Sequence, residues 1–301
     1  MAGASLLTLL DDIATVLDDV ALLSKVAAKK TAGVLGDDLA LNAQQVSGVN
    51  AEREIPVVWA VAKGSFLNKC ILVPAALLIS TIAPWLITPL LMLGGLYLCF
   101  EGAEKVLEKL FHTNHDNEDK TESVLFDDET LEEYEKRKVK GAIRTDFILS
   151  AEIIVIALGT VQGASTTTQI AVVSFIAVLM TVGVYGLVAG IVKLDDLGFY
   201  LLDKGKSTGL KAMLGESLVS FAPKLMRFLT IVGTAAMFLV GGGIVVHGVP
   251  AVHHLIEPIL YQLPHIAIIE AIVPIIFNGL VGMISGLMVV GASTIFRKLN
   301  R

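Results

Sequence analysis

Lysine and arginine are absent from three long stretches of this chain: Cys70 to Glu104, Thr145 to Val192 and Phe228 to Phe296. The same stretches are its most apolar. A helix needs roughly 20 mostly apolar residues to cross the hydrocarbon layer, so windows of this length suit pairs of crossings better than single ones. Three windows predict three membrane hairpins with about six transmembrane helices. If each hairpin leaves and returns on one side, all 23 Lys and Arg residues gather there. The positive-inside rule makes that side, and both termini, cytoplasmic. The expected fold is all-α, a polytopic membrane helix bundle.

Composition supports this and removes other classes. Hydrophobic residues make up 54% of the chain and charged residues 17%, far from the balance of a soluble domain. Met1 to Leu10 lack a basic stretch and a small-residue cleavage site before Asp11-Asp12, so no cleaved signal peptide is expected. A net charge of -6 argues against nucleic acid, because phosphate binding needs a basic face. Cys70 and Cys99 both lie in apolar sequence and read as small hydrophobes rather than a disulfide or metal pair.

The windows divide the chain. Residues 1–66 form a cytoplasmic or interfacial N-terminal segment, with an amphipathic helix from Ser5 to Lys30 that breaks at Gly33 and Gly36. Residues 67–104 make the first hairpin, turning at Pro84 to Pro89 with Trp85 at the outer interface. It is the tightest window, so either Lys69 and Lys105 snorkel or the pair is re-entrant. A charged cytoplasmic linker (105–144) leads to the second hairpin (145–192), which turns at Gln162 to Thr168. A cytoplasmic helical segment (193–227), the third hairpin (228–296) and a short cytoplasmic tail (297–301) complete the chain. Leu10-Asp11-Asp12-Ile13 recurs as Leu194-Asp195-Asp196-Leu197, and Leu35-Gly36-Asp37-Asp38-Leu39 is echoed by Leu214-Gly215-Glu216-Ser217-Leu218. A parallel internal repeat and chance similarity both remain open readings.

Acids placed in apolar sequence are the candidate functional groups. Glu152 is the costliest, about two turns into its window with no base beside it; it must face protein or water, and such carboxylates mark ion or proton paths. Glu101 and Glu270 are similar but nearer the window ends. On the N-terminal helix, Asp11, Asp12, Asp18 and Asp19 fall with Thr8 and Thr15 in an arc of about 120 degrees, and Asp195 and Asp196 repeat the pair. These clusters read as a solvated helix face or as an acidic vestibule for a cation, for which hard oxygen ligands are apt. In the external loop, His253, His254 and Glu257 have spacing that can hold a transition metal, though Pro250 and Pro258 break the helix there. Gly186-x-x-x-Gly190 and Gly282-x-x-x-Gly286 allow close helix approach within the bundle or in a homo-oligomer. Gly241-Gly242-Gly243 marks a hinge or a tight crossing.

The runs Leu10-Asp11-Asp12-Ile13-Ala14, Lys25 to Ala43, Pro56-Val57-Val58-Trp59-Ala60-Val61-Ala62-Lys63-Gly64-Ser65 and Pro84-Trp85-Leu86-Ile87-Thr88-Pro89 give the chain a specific likeness. It resembles the YedI-like bacterial inner-membrane proteins over essentially its whole length. The resemblance implies a multi-pass inner-membrane location; that family is of unknown function, so it assigns no residue a role.

No phosphate loop, nucleophile elbow or paired catalytic acids stand in the sequence, so an enzyme and a cofactor are not expected. The leading expectation is a transporter or channel-like protein for a small cation or solute, using the intramembrane acids. The competing one is a membrane scaffold or assembly factor that binds a protein on its cytoplasmic face.

Overall fold

The computed structural model describes residues 2–32, 34–46, 53–112, 131–204, 210–252, 254 and 267–299. Among them there is no strand, and the helices are α1 (Ala2–Thr31), α2 (Leu35–Val46), α3 (Glu54–Ile82), α4 (Ile87–His112), α5 (Leu131–Thr160), α6 (Thr166–Val192), α7 (Leu194–Lys204), α8 (Leu210–Gly248) and α9 (Ala267–Leu299). The all-α bundle expected from the windows is what the chain forms. Five described stretches are long and apolar enough to cross a membrane: α3, Pro84–Glu108 along α4, α6, Ala212–Gly248 in α8 and Ile272–Phe296 in α9. The sixth expected crossing, starting near Phe147 in α5, differs. Arg144, Asp146 and Glu152 interrupt its apolar half. Yet Leu149, Ile153, Ile154, Ala157 and Leu158 of α5 are buried in the bundle. A helix surrounded by other helices meets little lipid and can carry charge that a lipid-facing helix cannot.

Local sequence explains where the helices turn. A 3-10 turn at Pro84–Leu86 joins α3 to α4, starting on Pro84 and exposing Trp85. Between α5 and α6, Gly163 takes φ 91, a conformation open to glycine, and Ser165 caps α6 by accepting the Thr168 amide at 3.2 Å. The end of α8 also lies here, since Gly248 packs on Met92 and Thr88 at the start of α4. At the opposite end, Arg53 before α3 bonds Glu135 on α5, and Glu54 lies within electrostatic reach of Lys193 and Asp195 beyond α6. We call these the turn end and the basic end.

Two packing groups share α2. One core joins α1, α2, α3, α5 and α6 through residues such as Val61, Ile153, Ile176 and Val184. The other joins α4, α8 and α9 by near contact of backbones. A Cβ at Gly242 would collide with the Asn278 carbonyl, one at Gly282 with the Phe238 carbonyl and one at Gly286 with the Cys99 carbonyl. Gly241-Gly242-Gly243 is therefore a tight crossing. By contrast, nothing lies within 4 Å of a Cβ built at Gly186 or Gly190, so that pair faces away from the bundle.

The α1–α2 pair departs from a peripheral helix. α2 has 12 residues, about 18 Å of helix, too short to cross a hydrocarbon layer of about 30 Å. It is nevertheless interior, with Leu41, Ala43 and Val46 fully buried and α5, α6 and α8 around it. The break before it keeps its hydrogen bonds: Ala32 N–H donates to Ala28 O, Val34 N–H to Thr31 O and Asp38 N–H to Val34 O. Lys29 and Lys30, in the last turn of α1, adjoin this break near the turn end, so the expected gathering of every base at one end does not extend to α1. Among its described side chains α1 is mostly uncovered: Ile13, Leu17 and Leu22 are exposed, and the buried ones are Ser24, Ala27 and Thr31.

Candidate functional site

The most polar part of the interior lies where α2, α3, α5 and α6 meet. Lys69 on α3 and Asp146 on α5 face each other at 3.6 Å with side chains 4% and 1% exposed. The Lys69 ammonium donates to Ser65 Oγ at 2.7 Å and Ser150 Oγ at 2.8 Å. Both hydroxyls in turn donate to Asp146, at 2.8 and 3.1 Å. The Asn68 side-chain amide donates to Asp146 at 3.2 Å and to Ile143 O at 2.8 Å. Each serine lies four residues from the charge on its own helix, Ser65 before Lys69 and Ser150 after Asp146, so helical geometry presents charge and hydroxyl on one face.

Tyr185 joins this pair to α2. Its hydroxyl lies 2.9 Å from Asp146 Oδ1 and 2.8 Å from Asn42 Oδ1, and Asn42 donates to Asp38 Oδ1 at 2.7 Å and Asp38 O at 2.9 Å. Asp38, Asn42, Tyr185, Asp146 and Lys69 thus form a buried hydrogen-bonded chain across four helices. Ion pairs removed from water stand only when other bonds satisfy their remaining lone pairs and protons, and the two serines, Asn68 and Tyr185 do this for Asp146.

Next to that chain, a cavity of about 620 Å³ opens at the turn end. Glu152, Asp37, His247, Asn278 and Thr88 are its polar lining, and Val34 of the α1–α2 break also borders it. Asp37 and Asp38 fall in the first turn of α2, where the helix dipole favours negative charge. Toward the basic end the chain is covered by a second polar layer. Gln45 of α2 donates to Glu101 at 3.1 Å and to Thr145 at 3.3 Å, Thr145 donates to Glu101 at 3.1 Å, and Lys105 pairs with Glu101 at 3.2 Å.

The acids expected to form one path are not brought together. Glu152 lines the cavity, but neither Asp11 nor Asp195 does. Asp11, Asp18 and Asp19 are exposed on α1, and the Asp12 side chain lies outside the described part. Asp195 accepts the Asp196 amide at 2.9 Å, and Asp196 pairs with Lys193 at the basic end; this bond holds the Lys193 ammonium above its ordinary pKa. The two Leu-Asp-Asp pieces also occupy unlike positions, mid-helix in α1 and the first turn of α7. Glu101 serves in the layer beside Gln45, whereas the side chain of Glu270 in α9 lies outside the described part. Of the loop candidates, His253 and Glu257 lie outside the described residues and His254 is exposed. No group of three or more His, Cys, Asp and Glu suited to a metal occurs among the described residues.

Asp146, Asn42 and Tyr185 were not singled out by the sequence, and Lys69, expected to snorkel to the interface, is instead buried against Asp146. Their signal was the four-residue spacing of Ser65 from Lys69 and of Asp146 from Ser150 in otherwise apolar helix.

Helices able to span a bilayer around a charged, hydrogen-bonded interior define a polytopic helical membrane protein. The chain belongs to the family described as protein of unknown function (DUF808), whose model matches residues 4–292. No curated protein and no solved structure matches it.

Proposed function

We propose that this protein is a bacterial inner-membrane transporter for a small cation or solute, of the YedI-like kind its motifs resemble, in which the Lys69–Asp146 pair is the group that exchanges partners. The observation that carries the reading is that pair itself, held inside the bundle with its carboxylate bonded to four neutral side chains. A buried carboxylate can trade its ammonium partner for a proton or a cation, and the hydroxyls and amides that now serve Lys69 and Asp146 are suitable oxygen ligands for an ion. Two further features agree. The interrupted α1–α2 backbone borders a polar cavity, as broken helices do where irregular backbone meets water inside a membrane. The Gln45–Glu101–Thr145 layer lies on the opposite side of the pair. By the positive-inside rule we assign the basic end to the cytoplasm.

Purified protein in proteoliposomes loaded with a pH-sensitive dye tests this. An imposed proton, sodium or potassium gradient is expected to collapse faster than in protein-free vesicles, and Glu152→Gln is expected to slow the collapse by replacing the carboxyl that lines the cavity. Vesicles as ion-tight as empty ones under all three gradients would exclude an ion path through the chain.

One observation favours the scaffold reading. The described outer half of α1 exposes Ile13, Leu17 and Leu22 beside Asp11 and Asp18, a surface that suits a protein partner. Tight vesicles together with a stoichiometric co-purifying protein would select it.

A further inference from the structure

A second feature lies on the other face of α5 and does not depend on the transport reading. Two cavities, of about 730 Å³ and about 420 Å³, meet at Phe147 and Ile148. The first lies toward the basic end. There Glu132 and Glu135 are neutralised by Lys136 and Arg53, while Lys140 and Arg144 also line the cavity and make no ion pair among the described residues. Lys136, Lys140 and Arg144 stand four residues apart, on one stripe of the helix. Arg144 is steadied over the Tyr97 ring at 4.9 Å, which leaves its guanidinium edge available.

The second cavity continues from Phe147 toward the turn end and is apolar throughout, bounded by residues such as Leu72, Ala76, Leu90, Ala151 and Val155. It exists because α3 and α4, consecutive in sequence, diverge from their turn and share few contacts. From Arg144 to Val155 is about 16 Å of helix, roughly half of a 30 Å hydrocarbon layer and so the depth of one leaflet.

We propose that this groove holds an anionic phospholipid of the basic-side leaflet, its phosphate between Lys140 and Arg144 and an acyl chain between α3, α4 and α5. Charge complementarity selects the occupant: two cations at the interface above an apolar slot one leaflet deep match an anionic headgroup and its chain. A peptide would leave backbone groups unsatisfied in the slot, where no polar residue answers them. The lipid would also touch the interior, because Asn68 borders the first cavity while donating to Asp146.

Native mass spectrometry of the full chain, released from micelles doped with phosphatidylglycerol or phosphatidylcholine, tests the assignment. The wild type is expected to keep one phosphatidylglycerol in preference to phosphatidylcholine. Lys140→Gln with Arg144→Gln is expected to lower that preference roughly thirtyfold; both side chains are exposed, so the variant keeps its fold, which a thermal melt verifies. Ala151→Trp, which fills the slot without changing charge, is expected to lower retention of both lipids. Equal retention of the two lipids by the wild type, or an unchanged preference in the double glutamine variant, overturns the proposal. Displacement of the lipid by millimolar glycerol phosphate, with Ala151→Trp behaving as wild type, would make this a headgroup-only site and overturn the lipid claim too.

Discussion

Replacing Lys69 by methionine keeps the approximate length and apolar stem of the side chain and removes its charge and its N–H donors. Asp146 would then keep its bonds from Ser65 at 2.8 Å, Tyr185 at 2.9 Å, Ser150 at 3.1 Å and Asn68 at 3.2 Å but lose the ammonium that faces it. The Ser65 and Ser150 oxygens that accept from Lys69 would lose a donor as well. Breaking a buried pair by removing one partner costs about 3–5 kcal/mol, whereas removing both charges together is far less damaging. The four surviving bonds place Lys69→Met at the lower part of that range, about 3 kcal/mol. Asp146→Asn in the same chain should recover about 2 kcal/mol, because groups in direct contact couple by amounts of that order. Reversible unfolding in mixed micelles titrated with sodium dodecyl sulfate measures all four corners of this cycle. A Lys69→Met variant within about 0.5 kcal/mol of the wild type, or losses that simply add in the double variant, would refute a buried, mutually dependent pair.

Other substitutions separate the remaining contacts. Tyr185→Phe removes the hydroxyl that lies within hydrogen-bond distance of Asn42 and Asp146 and is expected to cost about 1–3 kcal/mol in the same titration; no loss would mean that the hydroxyl does not join α6 to the pair. Gly282→Leu drives a side chain into the Phe238 carbonyl and should lose at least about 1–3 kcal/mol. Gly186→Leu, with open space around it, should leave the monomer within about 0.5 kcal/mol. Equal behaviour of the two in a thermal melt would contradict the α8–α9 packing. The Arg53 hydrogen bonds hold the Glu135 carboxyl below its ordinary 4.5, so the stabilisation from this pair is complete above that pH and is lost as acid protonates Glu135 at lower pH. Melting temperature followed downward from pH 4.5 should therefore fall more steeply in the wild type than in Arg53→Gln, and parallel curves would show that the pair contributes nothing.

The hairpins were legible because hydrocarbon excludes charge along a whole window, a constraint written residue by residue. Their ends were less so. α3 begins at Glu54 and α4 runs to His112, beyond the windows, because a helix continues into the interface while its charged residues reach water. α5 likewise starts at Leu131, within the expected linker; charges at one-turn spacing such as Lys136, Lys140 and Arg144 keep one stripe of it exposed. Glu152 could be found from sequence because it stands alone in apolar surroundings. Lys69 and Asp146 could not, since each sits at the edge of a window where a snorkelling or flanking charge is the ordinary case, and only tertiary contact between α3 and α5 pairs them. The same holds for α2, whose 12 residues carry Asp37, Asp38 and Asn42 and read as surface helix until α5, α6 and α8 close around it.

The central claim, that the buried pair exchanges partners during transport, is tested most directly by ion flux through Lys69→Met/Asp146→Asn in proteoliposomes. That variant keeps the helices packed while removing both charges. The account predicts a protein that unfolds near the wild type in detergent yet leaves imposed proton and cation gradients intact. A folded double variant that dissipates a gradient as fast as the wild type would show that the pair only holds the helices together.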